Sequence, residues 1–303
     1  MRDEIRAKAE IERRRRNAEK EYEEKSEKLE KNEAFSDAYA RVSYLKFEFA
    51  RRKVYGLPIE DELLEEFRKK SDIVAEEQKK IGIINDEPDY FCKKCSDTGV
   101  FDGKICECFE KARVDAVLEE YPFLRDLPEK LKDINFDFYG AEKENYAKRV
   151  KFLNNYFLKG DLNFCTLTGA PGSGKTYISY VVIKEALLSG KSVKVINAVR
   201  LNKEFLEYHC APIEAKNALW EEIVGYDYLL IDDLGVESVL KNVTAQYLYE
   251  LLAERMEKKT LINGNLSVKN IEEKYGQRIF SRLSDKTKSA IMEFSGEDYR
   301  LRG

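Results

Sequence analysis

The chain has 303 residues, a formal net charge of −4, and charged side chains at 36% of positions against 43% hydrophobic ones. That length predicts one large domain plus a smaller module, and the near-balance of charge excludes a protein coated in phosphate-seeking surface, so any nucleic-acid contact must be local. No apolar run approaches the roughly 20 residues of a membrane span and the N-terminus opens as Met1-Arg2-Asp3-Glu4, which excludes a spanning helix or signal peptide and sets the expected location in the cytoplasm.

Residues 1 to about 33 are almost all Glu, Lys and Arg, with a thin apolar line at Ile11, Ala18, Tyr22 and Leu29 on one helical face. We read one long exposed helix. It is either a partner-docking or coiled-coil arm with Arg13 to Arg16 touching phosphate, or a solvated helix whose charges pair along its own surface, and the solvated reading is favoured. Ser36 or Asp37 can cap a second helix, in which Ala38, Val42, Leu45 and Phe49 form a buried stripe that Gly56-Leu57-Pro58 stops. A third helix begins near Ile59 and Glu60, buries Leu63, Leu64 and Phe67, and gives way to an acidic turn over 85–89. Residues 1–90 are therefore expected as a charged helical partner-binding region.

Cys92, Cys95, Cys106 and Cys108 follow as C-x2-C-x10-C-x-C, with Ser96 to Gly99 and Asp102-Gly103 reading as tight turns between them. Four thiolates can close a tetrahedral Zn²⁺ site of the structural kind, with no open position for catalysis. Free thiols or a redox pair are the alternatives, and two cysteine pairs joined by turns favour zinc. The module is expected over 91–120. Cys165 and Cys210 stand apart and read as packing residues, the latter beside the only histidine, His209.

From about Leu131 the texture becomes short apolar strands alternating with helical stretches, the pattern of a parallel sheet covered on both faces. The strands are predicted at Phe164–Leu167, Val193–Ile196, Tyr228–Ile231, Thr260–Asn263 and Ala290–Phe294, giving an α/β domain with a five-stranded parallel sheet over 121–303. Gly169, Pro171, Gly172, Ser173, Gly174, Lys175 and Thr176 form a P-loop between the first of these strands and a helix with Ile178, Val181, Val182 and Ala186 on its inner face. The glycines let backbone N–H groups converge on phosphates, Lys175 reaches the terminal ones, and Thr176 offers a hydroxyl to Mg²⁺, so ATP and Mg²⁺ are the expected ligands.

The strand Tyr228 to Ile231 ends in two carboxylates. Asp232 is suited to hold Mg²⁺, and Asp233 to orient or deprotonate the attacking water; a role as an ordinary strand-end residue capping the turn at Gly235 is the weaker alternative. Asp is shorter than Glu, which implies slow hydrolysis. At the end of the neighbouring strand both Asn263 and Asn265 fit a water-positioning role, and the residue pattern chooses neither between them nor among Arg278, Arg282, Arg300 and Arg302 for a phosphate contact.

The motifs Tyr228 to Gly235, Asn265-Leu-Ser267, Tyr275 to Leu283 and Gly296 to Arg300 resemble, in order, those of the DnaC/DnaI-type loaders of the bacterial replicative helicase, and Tyr90 to Gly99 with Cys106-Glu-Cys108 is similar to the cysteine-rich segment of Gram-positive and phage loaders. The resemblance implies an AAA+ ATPase that loads a hexameric helicase onto single-stranded DNA, with ATP binding and hydrolysis as an assembly switch. It implies Lys175 and Thr176 as the Walker A pair, Asp232 and Asp233 as the Walker B pair, Asn265 as sensor 1, and Arg282 as an arginine finger reaching the nucleotide of a neighbouring copy, with Arg278 assisting. Arg300 falls at the sensor-2 position, but only three residues follow it, so the usual helical lid is not expected. The same shortness excludes the duplex-reading C-terminal domain of the related initiator DnaA. Residues 200–225 match an extra helix facing the central channel in that group; Phe205 reads as core, while Tyr208 fits either core or a stacking platform for bases. An IstB-like transposition helper has much the same ATPase core, which the cysteine module disfavours, and an ATP-binding adaptor with little hydrolysis is a third reading. A small-molecule kinase lacks any acceptor-binding signature.

Overall fold

The computed structural model describes residues 2–83, 87–294 and 298. Two compact units divide the chain, one comprising Arg6–Ala112 and the other the residues up to Ile5 together with those from Arg113 onward. Of the stretch expected as a cysteine module over 91–120, residues up to Ala112 fall with the helices in the first unit and those from Arg113 in the second.

In that unit α1 (Arg2–Glu30) is followed by α2 (Glu33–Tyr55) and α3 (Asp61–Lys80), then by the two-stranded hairpin β1 (Val100–Phe101) and β2 (Lys104–Ile105), and by α4 (Glu107–Glu120), whose later residues belong to the second unit. Charge pairing accounts for the surface of α1: Glu10 binds both Arg13 and Arg14, Arg15 binds Glu19, and Arg16 binds Glu12. Its apolar line is used in part, with Ile11 and Leu29 buried and Ala18 and Tyr22 half-buried. The cap of α2 is Asn32, whose side chain accepts from the Phe35 N–H, and not Ser36 or Asp37. Gly56 ends α2 in the left-handed conformation that a C-terminal turn favours. On α3, Leu63, Leu64 and Phe67 are half-buried rather than buried, because the main apolar neighbour they meet is α2, as in the edge contact of Phe67 with Phe49 at 5.5 Å. A bidentate ion pair, Arg41 to Glu66 at 2.7 Å on both arms, joins these two helices. Part of the acidic turn over 85–89 lies outside the described residues.

The second unit continues with α5 (Lys143–Phe152), β3 (Phe164–Gly169), α6 (Lys175–Leu188), β4 (Val193–Asn197), α7 (Ala198–Cys210), α8 (Ile213–Val224), β5 (Tyr228–Leu234), α9 (Thr244–Glu254), β6 (Lys259–Gly264), α10 (Val268–Tyr275), α11 (Gln277–Leu283) and β7 (Ser289–Phe294). All five long strands pair in parallel, in the order β4-β5-β6-β3-β7. Strand alternation sorts the apolar residues: Leu230, Leu261 and Leu167 join the core under α5 and α6, whereas Leu229, Ile231 and Ile262 join the core under α7, α9 and α11. Strand order reverses at β3, since the chain leaves it for the far edge, returns through β5 and β6, and finally lays β7 on its other side. In such sheets the crevice at the C-terminal end of the reversal point is where ligands bind.

Candidate nucleotide and metal sites

The cysteines are gathered by short-range turns. Asp102 and Gly103 both have positive φ, at 51° and 71°, as a two-residue hairpin turn requires, and this turn pairs Val100 with Ile105. The Cys106 N–H returns to the Gly99 carbonyl at 2.9 Å. Asp97, 1% exposed, accepts from the Phe91 and Cys92 N–H groups at 2.8 and 2.9 Å and so fastens the first knuckle. All four Sγ atoms lie within 4.8 Å of one another, with Cys92 to Cys106 at 3.8 Å and Cys95 to Cys108 at 3.4 Å. Zn–S bonds of about 2.3 Å in a tetrahedron put sulfurs about 3.8 Å apart, so the donor set fits zinc. Burial raises the Cys95 thiol, but hydrogen bonds from the Cys108 thiol and the Gly99 N–H outweigh it and bring Cys95 down to about 7.

The P-loop lies between β3 and α6, and a cavity of about 780 Å³ opens over it, lined by Lys175, Thr176, Asp232, Asp233, Asn263 and Asn265 among others. Phe138, Tyr139, Tyr177 and Tyr180 give it aromatic walls. Lys175 Nζ donates to the Gly169 and Ala170 carbonyls at 2.8 and 2.7 Å. Thr176 Oγ1 stands 3.3 Å from Asp232 Oδ1, which brings the hydroxyl and carboxylate suited to one Mg²⁺ to the same spot. Asp232 is fixed further by Asn263 Nδ2 at 2.9 Å and by the Tyr180 hydroxyl at 3.1 Å, while Ser179 Oγ donates to Asn263 Oδ1 at 2.7 Å. Burial, and then the charge of Asp232, push the Tyr180 phenol up, so it stays a donor.

Consecutive strand residues normally face opposite sides of a sheet, yet Asp232 and Asp233 line one cavity. A register shift between Ile231 and Leu234 interrupts the pairing of β5 with β6, and Asp233 takes φ 56°, a left-handed conformation that Asp tolerates better than most residues. The bulge re-aims Asp233. The turn at Gly235 is capped by Glu237, which accepts the Gly235 N–H at 2.9 Å and is itself held by Tyr275.

The profile of the IstB-like ATP binding protein family matches residues 110–303. The chain belongs to that family. Within it the similarity is to DnaC-type AAA+ helicase loaders: the replicative helicase loader DnaC of Escherichia coli K12 is 24% identical over 176 residues, covering 56% of this chain and 71% of that one, and DnaC of Shigella flexneri matches to the same extent. Among solved structures, DnaI aligns over 59% of this chain and 93% of its own at 21% identity and a TM-score of 0.44, and the DnaC helicase loader over 55% and 98% at 16% identity and 0.43.

In this IstB-like protein several residues outside the sequence motifs shape the site. Tyr180 is one helical turn beyond Thr176 on α6, a spacing that puts both on the helix face toward Asp232. Asn263 is 1% exposed and holds Asp232, while Asn265 is exposed at the cavity. Arg282, on α11, lies away from this cavity with its guanidinium 4.6 Å from the Tyr249 ring centre and 3.1 Å from the Tyr249 hydroxyl. Arg278 is exposed, and Arg300 and Arg302 lie outside the described residues. Phe205 is core, and Tyr208 is half-buried against Trp220 at 4.9 Å and Tyr247 at 5.1 Å. Cys165 packs as expected, burial pushing its thiol up to about 12, but Cys210 is exposed because α7 ends there. Among the described residues no helix is long and apolar enough to cross a membrane.

Proposed function

We propose that this protein is an ATP-controlled loader that binds a hexameric replicative helicase and delivers it onto single-stranded DNA. The observation that carries the reading is the joining of Thr176, Asp232 and Asn263 at the mouth of a P-loop, in a member of a family whose curated relatives are named replicative helicase loaders. The helical and cysteine-bearing unit holds the helicase, and the ATPase unit self-associates and touches single-stranded DNA. Cys92, Cys95, Cys106 and Cys108 hold a structural Zn²⁺. Lys175 and the loop N–H groups of Gly172, Ser173 and Gly174 bind the polyphosphate. Thr176 and Asp232 hold the Mg²⁺, which when bound neutralises charge on the phosphates.

Asp233 orients or deprotonates the water that attacks the γ-phosphate, and Asn265 fixes that water from just past the end of the adjacent strand β6. Arg282 leaves its place against Tyr249 to reach the nucleotide of a neighbouring copy. Turnover on this account is slow, and the nucleotide times assembly. The test is to mix the purified protein and Mg-ATP with the cognate hexameric helicase and a single-stranded DNA circle. ATP-dependent complex formation and stimulated loading are expected, and the absence of both would sink the reading.

The family's own description favours one second reading, an IstB-like helper of a transposase acting on duplex DNA. ATP-dependent duplex coating, with no helicase complex, would select it.

A further inference from the structure

Behind the nucleotide loop stands a pair of stacked tyrosines that its motifs do not include. Tyr146, on α5 and fully buried, donates its hydroxyl to the Ser173 carbonyl at 2.6 Å. Its ring stacks on Tyr139 with centroids 3.9 Å apart and planes 17° from parallel, and meets Phe294 edge-on at 5.5 Å. The phenol is therefore held by two ring contacts and full burial and has little freedom to leave the carbonyl.

The bonded carbonyl belongs to the peptide that joins Ser173 to Gly174. None of the described peptide bonds is cis, and in a trans peptide the C=O and N–H point in opposite directions. Fixing the Ser173 oxygen on Tyr146 thus turns the Gly174 N–H away from Tyr146, and Gly174 lines the nucleotide cavity. Gly174 has φ 84°, and a glycine accepts the opposite sign of φ about as readily. Left to itself, this peptide is free to turn over, which would swing the N–H out of the phosphate cradle and the carbonyl oxygen into it. A carbonyl aimed at an anion repels it.

We infer that Tyr146 is a positioning residue for the polyphosphate: its hydroxyl selects the orientation of the 173–174 peptide in which the Gly174 N–H is offered to the β-phosphate of a nucleoside di- or triphosphate. This rests on the reading of the loop as an ATP site. Tyr139 reinforces it, since a side chain at position 174 would meet the Tyr139 hydroxyl at 2.9 Å and the position is thereby kept for glycine.

The experiment is Tyr146→Phe in the full chain, which keeps the ring and its stacking and deletes one oxygen. Dissociation constants for ADP, ATP and AMP are measured by calorimetry, or by displacement of labelled ADP, beside the melting temperature. ADP and ATP are expected to bind about 10-fold more weakly, the factor that one ordinary hydrogen bond carries, while AMP, which lacks the β-phosphate, is unchanged. The ratio of AMP to ADP affinity is the readout that a packing role leaves alone. Equal weakening of all three nucleotides, no weakening of any, or failure of the variant to fold would each overturn the assignment, the last by giving the hydroxyl to the core instead of the loop. A wild-type chain that binds no ADP would instead remove the nucleotide reading beneath it.

Discussion

The cysteine cluster and the carboxylate at the P-loop each gather groups that can hold a cation, and they are assembled in opposite ways. The cluster is drawn from positions 92–108 and closed by turns in which Ser96, Asp97 and Asp102 take positive φ. The nucleotide site takes Lys175 and Thr176 from one βα junction, Asp232 from β5 and Asn263 from β6, brought together by sheet order alone. The apolar cluster beside the cysteines is small, Ala7, Ile11 and Ala112 with Cys108 and Phe109 against them, whereas the carboxylate site is set by a sheet whose strands are already packed on both faces. The difference predicts that metal is a folding partner for the first and a ligand for the second.

The largest effect should therefore come from the cysteines. Cys106→Ser, or a strong chelator on the wild type, is expected to remove one equivalent of zinc and unfold the 91–106 hairpin, because structural zinc sites carry roughly 10–16 kcal/mol of apparent binding energy that is folding energy. Metal content and amide exchange over the hairpin are the readouts, with ATP affinity unchanged. A hairpin that stays protected without metal would erase the contrast between the two sites.

Next in size, Lys175→Ala should weaken ATP at least about 100-fold, the scale of losing a buried charge-assisted contact worth near 3 kcal/mol, while leaving zinc content and melting temperature nearly as they were. Asp233→Asn should spare binding and abolish phosphate release. If helicase loading survives Asp233→Asn but not Lys175→Ala, binding and not hydrolysis is the switch. A collapse of the fold in either variant would mean that this site, too, depends on its ligand for shape.

Much of this was readable beforehand, for reasons that differ by residue. The five strands were visible as apolar runs because a parallel sheet is buried on both faces. The P-loop and the cysteines were visible because their chemistry dictates spacing. Both carboxylates at the strand end were legible, but the bulge that turns Asp233 into the cavity of Asp232 was not, since nothing in Ile231-Asp232-Asp233-Leu234 announces it. Asn32 was hidden in a charged stretch where α1 ends and α2 begins almost without a gap. Arg255 stands in what reads as an ordinary surface sequence, Arg-Met-Glu-Lys-Lys, yet it is 0% exposed and donates to the carbonyls of Val224, Tyr226, Asp227 and Lys259 and to Thr260 Oγ1. Its burial is decided by the 224–227 segment meeting the start of β6 around it, which no local pattern records.

The smallest effect belongs to the charged face of α1, where ion pairs form between exposed and half-buried side chains. Burial raises the Glu10 carboxyl, but hydrogen bonds from Arg14 and Arg13 outweigh it and hold the group below the usual carboxylate range. A carboxyl with a depressed folded-state value stabilises the fold above its unfolded value and loses that contribution as pH falls through the folded one. Each such helical pair is worth only about 0.2–0.5 kcal/mol, because water and salt screen both partners. Glu10→Gln should thus lower stability slightly at neutral pH and not at all once the wild-type carboxyl is protonated, so the two denaturation midpoints converge on acidification. They should also converge in high salt. A gap above about 1 kcal/mol that persists in salt would mean that Glu10 is desolvated, as α1 would be if its charged face were an interface and not a solvated surface.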